Sequence, residues 1–216
     1  MKRLLLTITL IAVFASAGSA QDFGFKKKDI FLEASIQTSV VRDKSTLDRT
    51  ASFNFVPKVG TFLSDHFAVG LAAGFGNGNT EGRPRTIAED RQKLKTFDVG
   101  TFGRYYFLEI GSRLKPYTEL AVGYHLIRQE QWQQSKILSE YRMKGVLAKA
   151  GIGANFFLDK GIALNFLYPN FLSYHTFSTV HNGDNSTRSS SSEFKTNFNV
   201  FNNFLRSAQF GVILIL

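Results

Sequence analysis

The feature that most constrains this chain is a two-residue period with one large apolar row and one small, polar or charged row. It is sharpest over residues 116–127. There Thr118, Leu120, Val122, Tyr124 and Leu126 share one side of an extended strand. Tyr117, Glu119, Ala121, Gly123 and His125 share the other. Residues 67–76 repeat the arrangement by size: Phe67, Val69, Leu71, Ala73 and Phe75 alternate with Ala68, Gly70, Ala72, Gly74 and Gly76. Glycine weakens a strand unless something must approach it closely. In a narrow closed sheet that something is a long side chain reaching across the middle.

The same period marks further strands at residues 29–40, 52–60, 96–107, 145–156 and 162–174, with a last one reaching Leu216. Pro57 suggests a bulge in the second strand, because proline has no N–H for the ladder. Asn170 after Pro169 interrupts the seventh. Connections after the odd-numbered strands (41–50, 77–95, 128–142, 175–193) are long and polar, and those after the even-numbered strands are short. The expected fold is all-β: an eight-stranded antiparallel up-and-down transmembrane β-barrel with short periplasmic turns and long extracellular loops. A soluble lipocalin-like barrel can also have eight strands, but it keeps its apolar row inside around a ligand. Here glycines and opposite charges suit the inside, and the leucine row suits lipid.

The chain has 216 residues, enough for one domain. Met1-Lys2-Arg3, the apolar run 4–14 and the small residues 15–20 read as a signal peptide. Cleavage after Ala20 or Ala17 fits. The expected domains are 1–20 signal, 21–28 a short N-terminal segment, and 29–216 the barrel. No cysteine is present, which removes lipid attachment through Cys, disulfides and thiolate metal sites. The formal charge is +9, of which Lys2 and Arg3 carry two, leaving +7 on the exported chain. The basic residues lie scattered beside acids, as in Arg42-Asp43-Lys44, so no stripe for nucleic acid forms. Anionic lipid headgroups or polysaccharide are better matched partners.

Six charges fall on the inner row: Glu33, Asp98 and Glu119, and Lys58, Arg104 and Lys149. An unpaired buried charge is very costly, so a cross-lumen structural network is expected. A proton or ion path is the functional alternative. The structural reading is preferred because eight strands leave an interior that side chains can fill. The last strand exceeds the ~9–11 tilted residues a bilayer needs. Counting back from Leu216 sets Arg206 at the outer interface. Residues 194–204 are then either an external β-extension paired with the end of strand seven or an irregular loop.

Phe55-Val-Pro-Lys-Val-Gly-Thr-Phe-Leu-Ser-Asp65, Phe67-Ala-Val-Gly-Leu71, Phe102-Gly-Arg-Tyr-Tyr-Phe107 and Lys115-Pro-Tyr-Thr-Glu-Leu-Ala-Val-Gly-Tyr124 resemble the small outer-membrane β-barrel proteins of the OmpX/OmpA-barrel type. The resemblance covers the exported chain from the first strand onward. It implies a location in the bacterial outer membrane and insertion by the barrel-assembly machinery.

No catalytic, cofactor or metal site is expected. The His-x-Ser pair of lipid A deacylases is absent from all four histidines. His125 reads as a member of a polar network. His175, His181 and Asp184 fall in one loop, where solvated histidines are commoner than ligands. Gly74-Phe-Gly-Asn-Gly78 has the glycines of a phosphate loop but no helix after it. Asn185-Ser-Thr187 is a sequon of a different secretory system. Trp132, in a loop, can touch headgroups or a partner. The expected function is a structural or adhesive outer-membrane barrel, monomeric and non-enzymatic. It would touch outer-membrane lipids and lipopolysaccharide and bind an extracellular protein or polysaccharide. A lipid-modifying enzyme with an unrecognised site is the alternative.

Overall fold

A computed structural model describes residues 23–42, 49–81, 90–133, 136–182, 188–197 and 208–216. Within them the strands are β1 (Ile30–Arg42), β2 (Arg49–Ser64), β3 (Phe67–Glu81), β4 (Asp90–Tyr106), β5 (Leu114–Gln133), β6 (Lys136–Asp159), β7 (Ile162–Asn182), β8 (Arg188–Thr196) and β9 (Gln209–Ile215). Each strand from β1 to β7 pairs antiparallel with the next. β9 closes the ring. It pairs with β1 from Phe31↔Ile215 to Ile36↔Phe210 and with β7 from Ile162↔Leu214 to Leu167↔Gln209. The result is a closed barrel of eight strands. β8 lies beyond β9 along the same partner, pairing with Leu172 to Val180 of β7.

The outside is apolar. Leu71, Leu120, Val122, Val146 and Phe75 are 50–66% exposed with no protein to cover them. The inside holds Glu33, Lys58, Arg104 and Glu119, each at most 6% exposed. A face this apolar, wrapped around a charged interior, needs hydrocarbon outside and a fully paired sheet. Small inner residues make room for large ones. A Cβ on Gly70 would lie 2.7 Å from the Phe102 ring.

The strands run well past the bilayer. β5, β6 and β7 have 20, 24 and 21 residues, against the ~9–11 a tilted membrane strand needs. This corrects the expected loops. β3 continues to Glu81 and β4 begins at Asp90, so part of the 77–95 segment is strand. Most of 128–142 is hairpin, and Trp132 stands on β5. Much of 175–193 is the paired ends of β7 and β8. Both faces of these segments meet water, so they need no apolar row. Of residues 194–204, Phe194 to Thr196 are paired with β7, and residues 198–204 lie outside the described residues, as does Arg206.

Pro57 differs from expectation too, while the interruption expected at Pro169 and Asn170 is present. Around Pro57 the β2–β3 register is unchanged, with Phe55↔Phe75 before it and Lys58↔Ala72 after it. No bulge forms there; the ladder only lapses locally. The bulge is at Pro169, where β7 jumps from Tyr168 to Leu172 while β6 advances only from Ile152 to Ala150. Residues 169–171 face the single Gly151, two more than the ladder needs, and a Cβ on Gly151 would lie 3.0 Å from Pro169 Cα and 2.7 Å from the Tyr168 carbonyl oxygen.

Val122 lies midway along the lipid-facing row of β5. Val122→Arg is expected to lower stability in lipid vesicles by about 2–4 kcal/mol, the cost of an arginine at the bilayer midplane. Urea unfolding measures it; an unchanged midpoint would mean that this face does not meet hydrocarbon.

Candidate functional site

The lumen is the space that the ring of strands encloses, and it is filled in tiers. The lowest is aromatic. Before β1, the chain turns into the periplasmic end, with Lys28 in the left-handed region at φ 79°. The Asp29 carboxylate accepts the Lys26 N–H at 2.7 Å, and Lys28 N–H donates to the Phe62 carbonyl at 2.8 Å. This turn carries Phe25 into the barrel. Its ring stacks on Phe62 at 4.3 Å and tilts against Phe157 and Tyr106 at 4.9 and 5.0 Å. Phe23 packs beside Phe157, and the Arg113 guanidinium lies 4.7 Å from the Phe23 ring centre.

Above the aromatics lies a charged tier built from two cross-strand pairs. Glu33 and Lys58 are in register on β1 and β2, and Arg104 and Glu119 on β4 and β5. The pairs meet across the lumen. Lys58 Nζ donates to both Glu119 oxygens at 2.7 and 2.8 Å. Arg104 Nη2 donates to Glu119 at 2.6 Å and to Glu33 at 2.8 Å. The Arg104 guanidinium also lies 4.2 Å from the Tyr117 ring centre. Neutral groups complete the tier. Ser35 Oγ and Asn165 Nδ2 donate to Glu33 Oε1 at 2.8 and 2.9 Å. Tyr117 and Tyr106 hydroxyls donate to the Asn165 and Asn155 amide oxygens, each at 2.6 Å.

The upper tier is more open. Asp98 and His125, in register on β4 and β5, are hydrogen-bonded. The His175 ring of β7 lies 6.5 Å from that of His125, edge-on. Lys149 is half-buried in this tier and makes no hydrogen bond or ion pair among the described residues. Of the six inner-row charges, then, the structure joins Glu33, Lys58, Arg104 and Glu119. Asp98 pairs with His125 instead, and Lys149 joins neither group. His175 faces the lumen from a strand rather than standing in a loop. The side chain of His181, and all of Asp184 and 185–187, lie outside the described residues. No group of three metal-ligating side chains forms among the described residues.

Sequence reasoning missed Tyr106, Tyr117, Asn155 and Asn165 as network members. All four sit on inner rows, so parity alone could have nominated them. It also missed Phe23 and Phe25, two apolar residues in an otherwise basic leader to the first strand. Outside the membrane, the hydrogen bond from Arg142, at 2.6 Å, holds the Glu140 carboxyl below its ordinary range.

No family model matches the sequence. No curated protein matches it either. Solved structures do. OprG, an outer-membrane protein of Pseudomonas aeruginosa, superposes with a TM-score of 0.53 at 12% identity, covering 89% of this chain and 98% of OprG. The N-terminal β-barrel domain of P. aeruginosa OprF gives a TM-score of 0.42 at 13% identity, covering 89% of this chain and 100% of that one. Neisserial surface protein A gives 0.40 at 13%, covering 86% and 96%.

The fold is therefore that of the small outer-membrane β-barrels. With its uncovered apolar belt and closed ladder, the chain is an integral protein of the bacterial outer membrane. The likeness to OprG is one of fold.

Among the described residues, Arg104 is the only one bonded to both carboxylates by short contacts, and it is fully buried. Arg104→Met leaves two carboxylates facing one lysine and should cost about 3–5 kcal/mol in urea unfolding. Arg104→Met with Glu33→Gln restores neutrality around Lys58 and Glu119 and should cost less. Equal losses in the two variants would show that packing, not charge balance, governs the tier.

Proposed function

We propose that this chain is a non-conducting, non-enzymatic outer-membrane barrel that acts through its external part, as a structural element or a binding surface. One observation carries the reading: Arg104, Lys58, Glu33 and Glu119 bond across the whole lumen directly above the Phe23–Phe25 tier. A diffusing solute would have to part short ion pairs in a dry interior and then pass stacked rings. The membrane-spanning part thus serves as an anchor. The long, paired strand ends above it present a broad polar wall with little backbone freedom. Such a wall suits contact with a protein or polysaccharide more than it suits chemistry.

The enzymatic alternative has less support. A lipid-modifying site should present its acid or base to acyl chains or headgroups outside the barrel. Asp98, His125 and His175 face the lumen instead. The likeness to OprG and to the other barrels adds nothing on activity.

Two measurements test the reading. Reconstituted in planar bilayers, the detergent-extracted protein is expected to give no stepwise conductance; sustained channel openings would overturn the sealed-lumen reading. Cells carrying His125→Gln, His175→Gln and His181→Gln together should yield lipid A identical to that of wild-type cells, by mass spectrometry. A changed lipid A would move the chain among the enzymes.

A further inference from the structure

A second charged site lies outside the barrel, on strands β4, β5 and β6. Each of these strands carries a cation two residues beyond an outward apolar side chain. Lys95 follows Phe97, Arg128 follows Leu126, and Lys144 follows Val146. Lys95 is in register with Arg128, and Arg128 with Arg142. Lys93, one step further out, lies 4.4 Å above the Trp132 ring. Neighbouring strands are about 4.8 Å apart, so the side chains share one patch about 10 Å wide. Between them runs a groove of ≈ 550 Å³ with Phe97 and Leu126 at its floor and Lys95, Arg128, Arg142 and Lys144 on its walls.

The patch is net positive. Its acids, Glu130 and Glu140, are already engaged. Arg128 Nε lies 3.2 Å from Glu130 and 3.1 Å from Glu140, and Arg142 Nε lies 2.6 Å from Glu140. Lys95 and Lys144 make no ion pair among the described residues. The residues in register on the flanking strands are uncharged: Asn77 on β3, then Phe53 on β2, and Ser178 on β7. At this level, among the described residues, the cations are gathered on β4, β5 and β6.

We propose that this groove holds the phosphorylated headgroup of an outer-leaflet glycolipid. The position selects the ligand. Phe97, Leu126 and Val146 offer an apolar surface for acyl chains on the membrane side. The cations stand at the depth where headgroup phosphates lie, and lysine stems can follow the apolar surface while their ammonium groups reach the phosphates. The Glu130 and Glu140 bridges fix the two arginines, which leaves Lys95 and Lys144 to take the anion. The site is separate from the lumen and does not depend on whether the lumen conducts.

Trp132 is the one tryptophan of the chain. It stacks under Lys93 at the edge of the patch, so its emission reports binding directly. Detergent-extracted protein in zwitterionic micelles is titrated with bis-phosphorylated lipid A, with the same lipid stripped of its phosphates, and with inorganic phosphate. The phosphorylated lipid is expected to bind about thirtyfold tighter than the stripped one, the preference two surface cations supply. Inorganic phosphate should not displace it. Lys95→Gln with Lys144→Gln should erase most of the preference. Lys26→Gln with Lys27→Gln, two exposed lysines at the periplasmic end, should keep it. Equal affinity of wild-type protein for the two lipids overturns the proposal without any variant. So does displacement by inorganic phosphate, which would mark a site for the free anion, or an equal loss in the periplasmic pair, which would mark general charge attraction.

Discussion

Every peptide group that crosses the hydrocarbon must find its partner inside the protein, and the rest of the structure follows from that constraint. An open sheet would leave two rows of N–H and C=O groups facing lipid, each costing several kcal/mol. The short last strand removes both rows, since β9 takes β1 on one edge and β7 on the other. Closure at eight strands then fixes the inside. The bore is narrow enough for a single arginine from β4 to touch a carboxylate on β1. Small inner residues become a condition for large ones on the neighbouring strand, as Gly70 of β3 is for Phe102, its register partner on β4.

A bore of that width is too dry for unpaired charge and too polar for an oily core. The chain resolves this with two acids and two bases at one level. The guanidinium of Arg104 has fork geometry that can serve two carboxylates together, and Lys58 supplies the second cation to each of them. Desolvating four charges offsets much of their mutual attraction, so the tier is weak as a source of stability. Its stronger effect is on register. A one-residue slip of β1 or β4 would turn Glu33 or Arg104 outward to lipid while leaving its partners unpaired within. The tyrosine and asparagine bonds add the same demand on β5, β6 and β7.

What was legible in the sequence is what lipid enforces. Leu120 and Val122 had to face out, and so Glu119 had to face in. The strand ends above the membrane were not legible, because water on both sides removes the alternation that marks a strand. Lys93 and Lys95, read as loop, are outward positions of a ladder with β5. Parity also says nothing of who meets whom. Asp98 and Arg104 share an inner row, yet Asp98 lies in register with His125 and bonds to it, while Arg104 lies in register with Glu119. The strand register decides this, and composition does not reveal it. The aromatic tier was hidden for another reason. Phe23 and Phe25 follow no period, and only the turn at Lys28 swings them inward.

Pro57 and Pro169 show how one residue type can have opposite consequences. Pro57 sits where the ladder to β3 lapses for two residues and resumes unchanged, so the wall stays continuous. Pro169 sits where β7 changes partners. Below it β7 pairs with β9, and above it with β8. The outer face changes character across the same point. Leu164 and Phe166 lie below, opposite Val212 and Phe210. Above come Tyr174 and Phe194 side by side, 48% and 64% exposed. Beyond them are Thr176 and Ser192, whose hydroxyls are 3.3 Å apart. A break within the spanning part of a strand frees backbone groups that must find partners inside the protein. The two extra residues at Pro169 sit opposite Gly151, which is in register with Glu119 of the charged tier, and they mark the point where one long strand exchanges β9 for β8.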